Sequence, residues 1–193
     1  MLAITQYGAG NIFSLCKAIE RIGVPYMVTS KIEELEAATH IILPGVGEAA
    51  SVIKEMESRG LTSFLQSTSK PILGICIGMQ VMCSYSQEGD TKCIGLFPNM
   101  VEKLRGDNIK IPHMGWNRVD NLKGPLFKDI KIGEWFYFVH SYAPTIDSST
   151  IATTDHGYVF SSALNYRNYY GTQFHPEKSG EAGELLLSNF LAL

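Results

Sequence analysis

A single cysteine, Cys76, lies between two glycines in the stretch GICIGMQ, where Gly74 precedes it by two residues and Gly78 follows it by two. The run PILGIC has the composition of a buried strand and IGMQVMCSY that of the start of a helix, so Cys76 falls on the turn between them. Glycines on both sides of a sharp turn remove side chains that would clash with neighbouring strands. The pattern predicts a nucleophile elbow with cysteine in the place of serine.

The predicted elbow would place the Cys76 thiol at the N-terminus of a helix. Unpaired N–H groups and the helix dipole favour a thiolate at such a position. The N–H group of Ile77 can donate to an oxyanion that develops nearby. The alternative interpretation is a buried cysteine that only packs against the sheet.

A nucleophilic cysteine needs a base, and the chain offers five histidines whose spacing alone does not choose among them. His175 follows the strand-like run YYGTQF and is followed by Pro176 and Glu177. Residues i and i+2 of an extended chain point to the same side, so Glu177 can orient an imidazole that deprotonates Cys76. HPE is a short pattern that also arises by chance, and it gains weight from the predicted elbow.

Composition describes one domain over residues 1–193, with a net charge of −3 and 45% hydrophobic residues. No run of lysine or arginine is present, which argues against nucleic acid or an anionic membrane surface as a partner. The N-terminus shows no secretory signal and the apolar runs are short, so we expect a cytoplasmic protein. Four cysteines lie at spacings that fit neither a zinc ribbon nor a disulfide framework.

Short apolar runs alternate with amphipathic stretches in the first half, which predicts right-handed βαβ units on a parallel sheet. The stretch NIFSLCKAIERIG has helical spacing, with Asn11 as its cap, Cys16 in the core and Gly23 at its end. In the second half WFYFVHSY, STIATTD, YVFSSALNY and YYGTQFH follow one another without long helices, which favours antiparallel pairing. Residues 180–193 predict a closing helix. The fold class is therefore α/β with a mixed sheet.

Three segments, HIILPGVGEAA, PILGICIGMQ and GTQFHPEKSG, resemble in this order the signature segments of class I glutamine amidotransferases. The resemblance implies a three-layer, flavodoxin-like fold whose central sheet is largely parallel with an antiparallel C-terminal part. It also implies glutamine hydrolysis to glutamate and ammonia by a triad of Cys76, His175 and Glu177. No cofactor is needed for this reaction, because the chain supplies the nucleophile.

The resemblance assigns further residues of the same site. It implies that Val46, in the loop PGVG, is an oxyanion donor beside Ile77. The residues that it implies for binding the substrate are Gly45, Gly47, Gln80, Glu88, His140, Ser141 and Tyr142. Two alternatives stay open from the residues alone, since PGVG can be only a tight turn and Glu88 only a solvated loop charge.

Within that family, KIPHMGWN, YFVHSY and HPEKS resemble the glutaminase subunits of imidazole glycerol phosphate synthases. This implies a heterodimer with a cyclase subunit that uses the ammonia to make imidazole glycerol phosphate and aminoimidazole carboxamide ribotide in histidine biosynthesis. The residues implied at the partner interface are Asn11, Met114, Trp116, Tyr137 and Lys178. On its own, IPHMGWN is either buried packing or an interface anchor.

Two other functions remain open at this stage. One is a glutaminase serving another synthase, such as the anthranilate or pyridoxal phosphate systems, and the other is a catalytically silent binding module of the same fold. His113, His140 and His156 lack the short paired spacings typical of zinc ligands, so we predict no metal site.

Overall fold

This computed structural model of the chain describes residues 1–7, 12–106 and 109–193. The strands within them are β1 Leu2–Thr5, β2 Tyr26–Thr29, β3 His40–Leu43, β4 Ile72–Ile75, β5 Tyr85–Ser86, β6 Thr91–Lys92, β7 Met100–Lys103, β8 His113–Val119, β9 Glu134–His140, β10 Tyr142–Pro144, β11 Thr150–Asp155, β12 Val159–Tyr166 and β13 Tyr169–Thr172. The α-helices are α1 Phe13–Ile22, α2 Ile32–Ala37, α3 Ala49–Ser58, α4 Leu61–Ser67, α5 Ile77–Gln80 and α6 Gly180–Leu191. Short 3-10 turns lie at Glu88–Asp90, Pro125–Phe127 and Pro176–Lys178.

The central sheet has seven strands in the order β11-β12-β13-β4-β3-β1-β2. The strands from β2 to β13 pair in parallel, and β12 and β11 then pair antiparallel. The parallel part has the doubly wound order of flavodoxin-like folds. The predicted mixed, largely parallel sheet with an antiparallel C-terminal part is confirmed.

Helices cover both faces of this sheet, and the alternation of side chains along each strand divides the core between them. Ala3 and Ile41 belong to the hydrophobic cluster that contains α3 and α4 residues. Leu2 and Ile42 belong to the opposite cluster, which contains α1 and α6 residues. Because both faces are covered, these strands are apolar throughout, as expected for parallel strands.

Helix α1 turns Leu15 and Ile19 into the core and ends at Gly23, whose φ of 82° is left-handed. The predicted cap Asn11 lies outside the described residues. Cys16 is half-buried and packs against the core, in line with its predicted packing role. No helix in the described segments has both the length and the apolar character needed to cross a membrane.

Two smaller sheets lie outside the central one. Strands β10, β7, β5 and β6 form a four-stranded sheet, and β8 and β9 form an antiparallel ribbon. The sequence analysis grouped the run WFYFVHSY with the later antiparallel strands. In the structure this run lies largely in β9 and pairs with the segment around IPHMGWN. This pairing matters for the candidate site, because the end of β9, at Val139 and His140, lies beside Cys76.

The helix that follows Cys76 is much shorter than IGMQVMCSY suggests, since α5 ends at Gln80 after about one turn. Backbone carbonyls just beyond it accept hydrogen bonds from a later loop. Val81 accepts from Ile94 at 2.9 Å and Cys83 from Gly95 at 2.8 Å. These carbonyls are bonded to distant N–H groups, so the helix does not continue.

Candidate active site

The candidate residues gather where the parallel strands end. Tyr7 follows β1, the PGVG loop follows β3, Cys76 follows β4 and His175 follows β13. Parallel strands place their carboxyl ends at one edge of the sheet, and α/β proteins bind ligands in the crevice outside that edge. Segments far apart in the sequence therefore meet there.

Cys76 has the strained backbone of a nucleophile elbow, with φ 55° and ψ −114°. Its N–H group donates to the carbonyl of Thr172 at 2.7 Å, which ties the elbow to the end of β13. The two glycines of the pattern have no space for a side chain. A Cβ atom on Gly74 would lie 2.7 Å from Met79 N, and one on Gly78 would lie 2.0 Å from Leu43 O. The sequence prediction of a tight elbow is in accord with this geometry.

The PGVG loop packs directly on the start of α5. A Cβ atom on Gly45 would lie 2.6 Å from the backbone N of Gly78, so only glycine allows this approach. The hydroxyl of Tyr7 donates to the carbonyl of Pro44 at 2.5 Å. Burial, and secondarily the charge of Cys76, raise the pKa of Tyr7, so this hydroxyl keeps its proton and stays a donor.

His175 and Glu177 form a buried pair after β13. Nδ1 of His175 and Oε1 of Glu177 are 2.8 Å apart, and both side chains are at most 10% exposed. The backbone of His175 is held by the ribbon, because its N–H group donates to the carbonyl of Tyr137 at 2.9 Å. Nε2 of His175 is buried and has no hydrogen-bond partner among the described residues. That nitrogen is the one left to exchange a proton with a ligand or with Cys76.

Two opposing effects set the charge of His175. Burial of the ring alone would lower the pKa of His175, but interactions with Cys76 and Glu177 outweigh burial and raise it to about 10. A protonated His175 ring is a positive charge beside Cys76, and a positive neighbour favours the thiolate form of a cysteine. A thiolate and imidazolium pair is the reactive form of a cysteine nucleophile.

A cleft of about 220 Å³ opens above these groups. It is smaller than the roughly 300–1,000 Å³ sites of drug-sized ligands and suits a compact molecule. The residues lining it are Gly45, Val46, Gly47, Cys76, Ile77, Gln80, Glu88, Val139, His140, Ser141, Tyr142 and His175. The structure thus brings together every residue predicted for the oxyanion hole and for the substrate, with Glu177 behind His175. Val139 is an addition that the sequence did not indicate.

Gln80 and Glu88 make contacts within the protein as well as lining the cleft. The side-chain nitrogen of Gln80 donates to Tyr142 O and to Gln173 Oε1, each at 2.8 Å. Oε2 of Glu88 accepts from the N–H of Ala49 at 2.9 Å, which places this carboxylate at the start of α3. Glu88 is therefore an ordered, half-buried group, and the solvated-loop alternative does not describe it.

Sequence reasoning missed one polar residue at the site, Gln173, and the internal hydrogen bonds of a predicted one, His140. Gln173 is fully buried, and its Nε2 lies 3.6 Å from Cys76 Sγ. The side chain of His140, which the resemblance implied only for binding the substrate, bonds to Tyr142 O at 2.9 Å and to the ring of His113 at 3.0 Å. Gln173 lies two residues before His175, and this alternation is the one signal in the sequence that could have indicated it.

The face predicted for a partner lies on the ribbon beside the cleft. Met114 is 64% and Trp116 52% exposed, and Trp116 pairs with Tyr137 across the two strands. The Lys178 ammonium lies 5.7 Å from the centre of the Tyr137 ring. Trp135, on the same strand as Tyr137, is also half exposed. Asn11, the remaining predicted member, lies outside the described residues.

The three histidines considered as possible metal ligands are stacked and hydrogen-bonded. The ring of His113 stacks on His156 at 4.0 Å, and Nε2 of His156 lies 2.9 Å from Lys110 O. In the parts of the chain that the structure describes, no group of three or more histidine, cysteine or acidic residues is arranged to hold a metal ion.

The fold and the site define a class of thiol-dependent α/β enzymes. Its features are a cysteine on an elbow, a buried pair of histidine and glutamate, and a doubly wound sheet. The sequence model of the family described as glutamine amidotransferase class-I matches residues 3–193. The chain therefore belongs to the class I glutamine amidotransferase family.

Two relatives of this chain carry the same subunit name. It is 47% identical over 194 residues to imidazole glycerol phosphate synthase subunit HisH of Bacteroides fragilis, covering 100% of this chain and 99% of that protein. It is 43% identical over 199 residues to the subunit of the same name from Vibrio parahaemolyticus, covering 100% and 98%. A crystal structure of a glutamine amidotransferase shares the fold with a TM-score of 0.75 at 17% identity, covering 99% of this chain and 97% of that one.

Proposed function

We propose that this chain is the glutaminase subunit of an imidazole glycerol phosphate synthase. It hydrolyses glutamine to glutamate and ammonia and passes the ammonia to a cyclase subunit in histidine biosynthesis. We also propose that residues 1–193 act as one glutaminase domain. The observation that carries this proposal is the elbow at Cys76 beside the buried pair of His175 and Glu177, in a protein related to HisH subunits along its whole length.

The reaction follows from the proposed triad. Cys76 Sγ attacks the side-chain amide carbon of glutamine, and the carbonyl electrons move to oxygen to give a tetrahedral oxyanion. His175 donates its proton to the amide nitrogen as the C–N bond breaks, and ammonia leaves a thioester on Cys76. His175 then takes a proton from water, which attacks the thioester, and collapse releases glutamate and the thiolate. Glu177 keeps the imidazole oriented and stabilises its charge.

The oxyanion hole in this proposal is formed by the N–H groups of Val46 and Ile77. Their proposed roles are supported by the tight packing of Gly45 on the start of α5, which brings the two backbone segments together. The hydrogen bond from Tyr7 to Pro44 anchors the loop on its other side. Donors held in advance of the reaction stabilise a developing charge without reorganisation.

Substrate recognition is assigned to the other walls of the cleft. Glu88 supplies a carboxylate for the α-ammonium group of glutamine, and the backbone of Ser141 and its neighbours His140 and Tyr142 receives the α-carboxylate. Gly45 and Gly47 let the backbone approach the ligand, and Gln80 contacts it from α5. Glutamine carries a positive α-ammonium and a negative α-carboxylate group. The proposal places the ammonium group at Glu88 and the carboxylate group at the backbone of residues 140–142, and both lie in the lining of the same cleft.

The partner face of the proposal is the exposed side of the β8–β9 ribbon. Met114 and Trp116 are large apolar side chains exposed beside the cleft, and such anchors are enriched at interfaces. Tyr137 and Lys178 continue this face towards His175, and Asn11 is a proposed member. The ribbon also lies close to the nucleophile, because Val139 O is 3.9 Å from Cys76 Sγ. A cyclase bound here would lie next to the source of ammonia.

The test separates ammonia production from ammonia use. In a complex with a histidine-pathway cyclase, Cys76→Ala should abolish product formation from glutamine and leave synthesis from an added ammonium salt largely intact. Steady-state product formation is measured with each nitrogen source at matched protein concentration. Failure of ammonium to rescue an intact mutant complex, while the wild type uses ammonium well, would contradict this division of labour. Absence of glutamine hydrolysis by the wild-type complex would point to a silent module, and stimulation only by another synthase would point to a different partner.

A further inference from the structure

Gln173 is a buried polar side chain next to Cys76 that the proposed mechanism does not use. It lies between the end of β13 and His175 and is fully buried. Its Nε2 lies 3.6 Å from Cys76 Sγ, within the range of a hydrogen bond to sulfur. Gln173 is not among the residues lining the cleft, so it meets the sulfur from the protein side.

The orientation of the Gln173 amide is fixed by Gln80. The side-chain nitrogen of Gln80 lies 2.8 Å from Tyr142 O, a backbone carbonyl that can only accept, and 2.8 Å from Gln173 Oε1. An amide nitrogen has two hydrogens, and these two acceptors use both of them. The oxygen of Gln173 therefore faces Gln80, and its NH2 group faces the sulfur.

A pair of histidines holds the Tyr142 carbonyl from the other side. This carbonyl also accepts from Nδ1 of His140 at 2.9 Å, so that nitrogen carries the proton. Burial lowers the pKa of His140 to about 3 and that of His113 to about 4, so both rings are neutral at pH 7. Nε2 of His140 is then an acceptor, and Nδ1 of His113 donates to it at 3.0 Å. The side-chain amide of Asn117 donates to Nε2 of His113 at 3.2 Å and closes the series on β8.

These hydrogen bonds form one connected network from Asn117 to Gln173. Only one assignment of donors and acceptors satisfies every bond in it, and in that assignment Gln173 donates to the sulfur of Cys76. We propose that Gln173 is a positioning residue for Cys76, whose side-chain amide donates a hydrogen bond to the sulfur and thereby aims it and stabilises its thiolate. A thiolate is a stronger acceptor than a thiol, so this bond favours the reactive form. The inference rests on the proposed function, in which Cys76 is the nucleophile.

The test follows the reactivity of Cys76 rather than turnover. The full chain is alkylated with iodoacetamide at a series of pH values, and the rate at the Cys76 peptide is measured by mass spectrometry. Gln173→Met keeps the length of the side chain and removes the donor. The pH of half-maximal reactivity should rise by roughly one unit, as expected for loss of a hydrogen bond to a charged group. Gln66→Met is the matched control, because Gln66 donates to Ile94 O at 3.0 Å away from the cleft, and it should leave the profile unchanged.

The other titratable groups around the sulfur stay in place in these variants. Among the described residues they are His175 after β13, with Glu177 behind it, Tyr7 after β1, and Glu88 and His140 in the lining of the cleft. If Gln173→Met does not fold, Gln173→Asn keeps an amide but withdraws it by one methylene from the sulfur. It should shift the profile in the same direction. A Gln173 variant with a lower melting temperature and an unchanged alkylation profile would overturn the proposal, because it would leave only a structural role.

Turnover in the complex gives a second readout. Since Gln173 does not line the cleft, its loss should lower kcat for glutamine about tenfold and change KM little. A rise in KM with unchanged kcat would contradict a positioning role. Alkylation requires neither glutamine nor a partner. A shifted profile in a chain that hydrolyses no glutamine would therefore reject the proposed function while supporting the role of Gln173.

Discussion

The substitution Gly78→Ala tests whether close backbone packing sets the geometry of the elbow. A Cβ atom at Gly78 would lie 2.0 Å from the carbonyl oxygen of Leu43 and 3.0 Å from its carbon. Ordinary contact begins at 3.4 Å, so α5 and the end of β3 must separate by about 1.4 Å. The obstacle is backbone on a buried strand, which has no rotamer with which to avoid the new methyl group.

The separation has two consequences of different size. Overpacking a core typically costs about 1–3 kcal/mol, which lowers the melting temperature of a chain of this length by roughly 2–12 °C. Catalysis should suffer more, because Gly78 is two residues from Cys76 and a misplacement of about 1 Å can cost roughly 100-fold in rate. We expect glutamine hydrolysis by the complex to fall at least that far while the protein remains folded at 25 °C.

The matched control is Gly60→Ala, at the junction of α3 and α4. A Cβ atom there has no atom within 4 Å, but the φ of +71° is unfavourable for alanine. This variant should lose stability of about 1–2 kcal/mol through backbone strain and keep its activity. Glutaminase rates and thermal unfolding are measured on both variants. Wild-type activity in Gly78→Ala, within about threefold, would refute the argument that this contact positions the nucleophile.

Three further predictions concern the titratable groups. Glu177→Gln replaces a charge-assisted bond worth about 1.5–3 kcal/mol, so the glutaminase rate should fall roughly 10–150-fold, whereas Cys76→Ala and His175→Ala should each abolish it nearly completely. A smaller loss in the alanine variants than in Glu177→Gln would contradict the triad. An electrophilic glutamine analogue should label Cys76 and spare the other three cysteines, as peptide mapping can determine. Burial raises the pKa of Cys93 to about 11 and raises that of Cys83 well above its ordinary value, so equal labelling there would argue against the elbow assignment. Burial lowers the pKa of His113 and His140 to about 4 and 3, so the unfolded chain binds protons first as pH falls below about 6.5. The stability that these neutral rings contribute is present above pH 6.5 and is lost as the pH falls. The melting temperature, measured by thermal unfolding, should therefore decline from pH 6.5 towards pH 4. A melting temperature that stays constant over that range would contradict the burial of neutral rings.

Local patterns predicted the elements that carry the site. Strands separated by amphipathic stretches gave the doubly wound half of the fold, and Gly23 ends α1 in the left-handed conformation expected for it. GICIGMQ indicated the elbow because the positive φ at Cys76 and the close contact of Gly74 with Met79 depend on residues within a few positions of each other. The close contact of Gly78 is with Leu43 on another strand, which the pattern does not specify. The two-residue spacing of His175 and Glu177 likewise predicted their contact, but residues Pro176–Lys178 form a 3-10 turn rather than the extended chain that the prediction assumed.

Elements whose ends are fixed by distant partners could not be predicted in this way. Helix α5 stops at Gln80 because carbonyls after it bond to residues 94–97, and nothing in IGMQVMCSY signals those partners. The run WFYFVHSY pairs with β8 rather than with the strands that follow it, since strand-forming composition does not specify a partner. Glu88 accepts a hydrogen bond from Ala49 at the start of α3, a contact that neither of the alternatives read from the sequence included.

The sequence by itself therefore determined the chemistry available to this protein: a cysteine on a tight elbow, and an imidazole with a carboxylate two residues away. Those features are local, because the strained elbow and the 3-10 turn that joins His175 to Glu177 each span only a few residues. Only the tertiary structure decided which groups surround the sulfur. Gln173, Gln80 and His140 come together because parallel strands end at one edge and an antiparallel ribbon lies across it. Buried donors and acceptors must find partners within the fold, and that requirement acts between residues that the linear sequence keeps nearly a hundred positions apart.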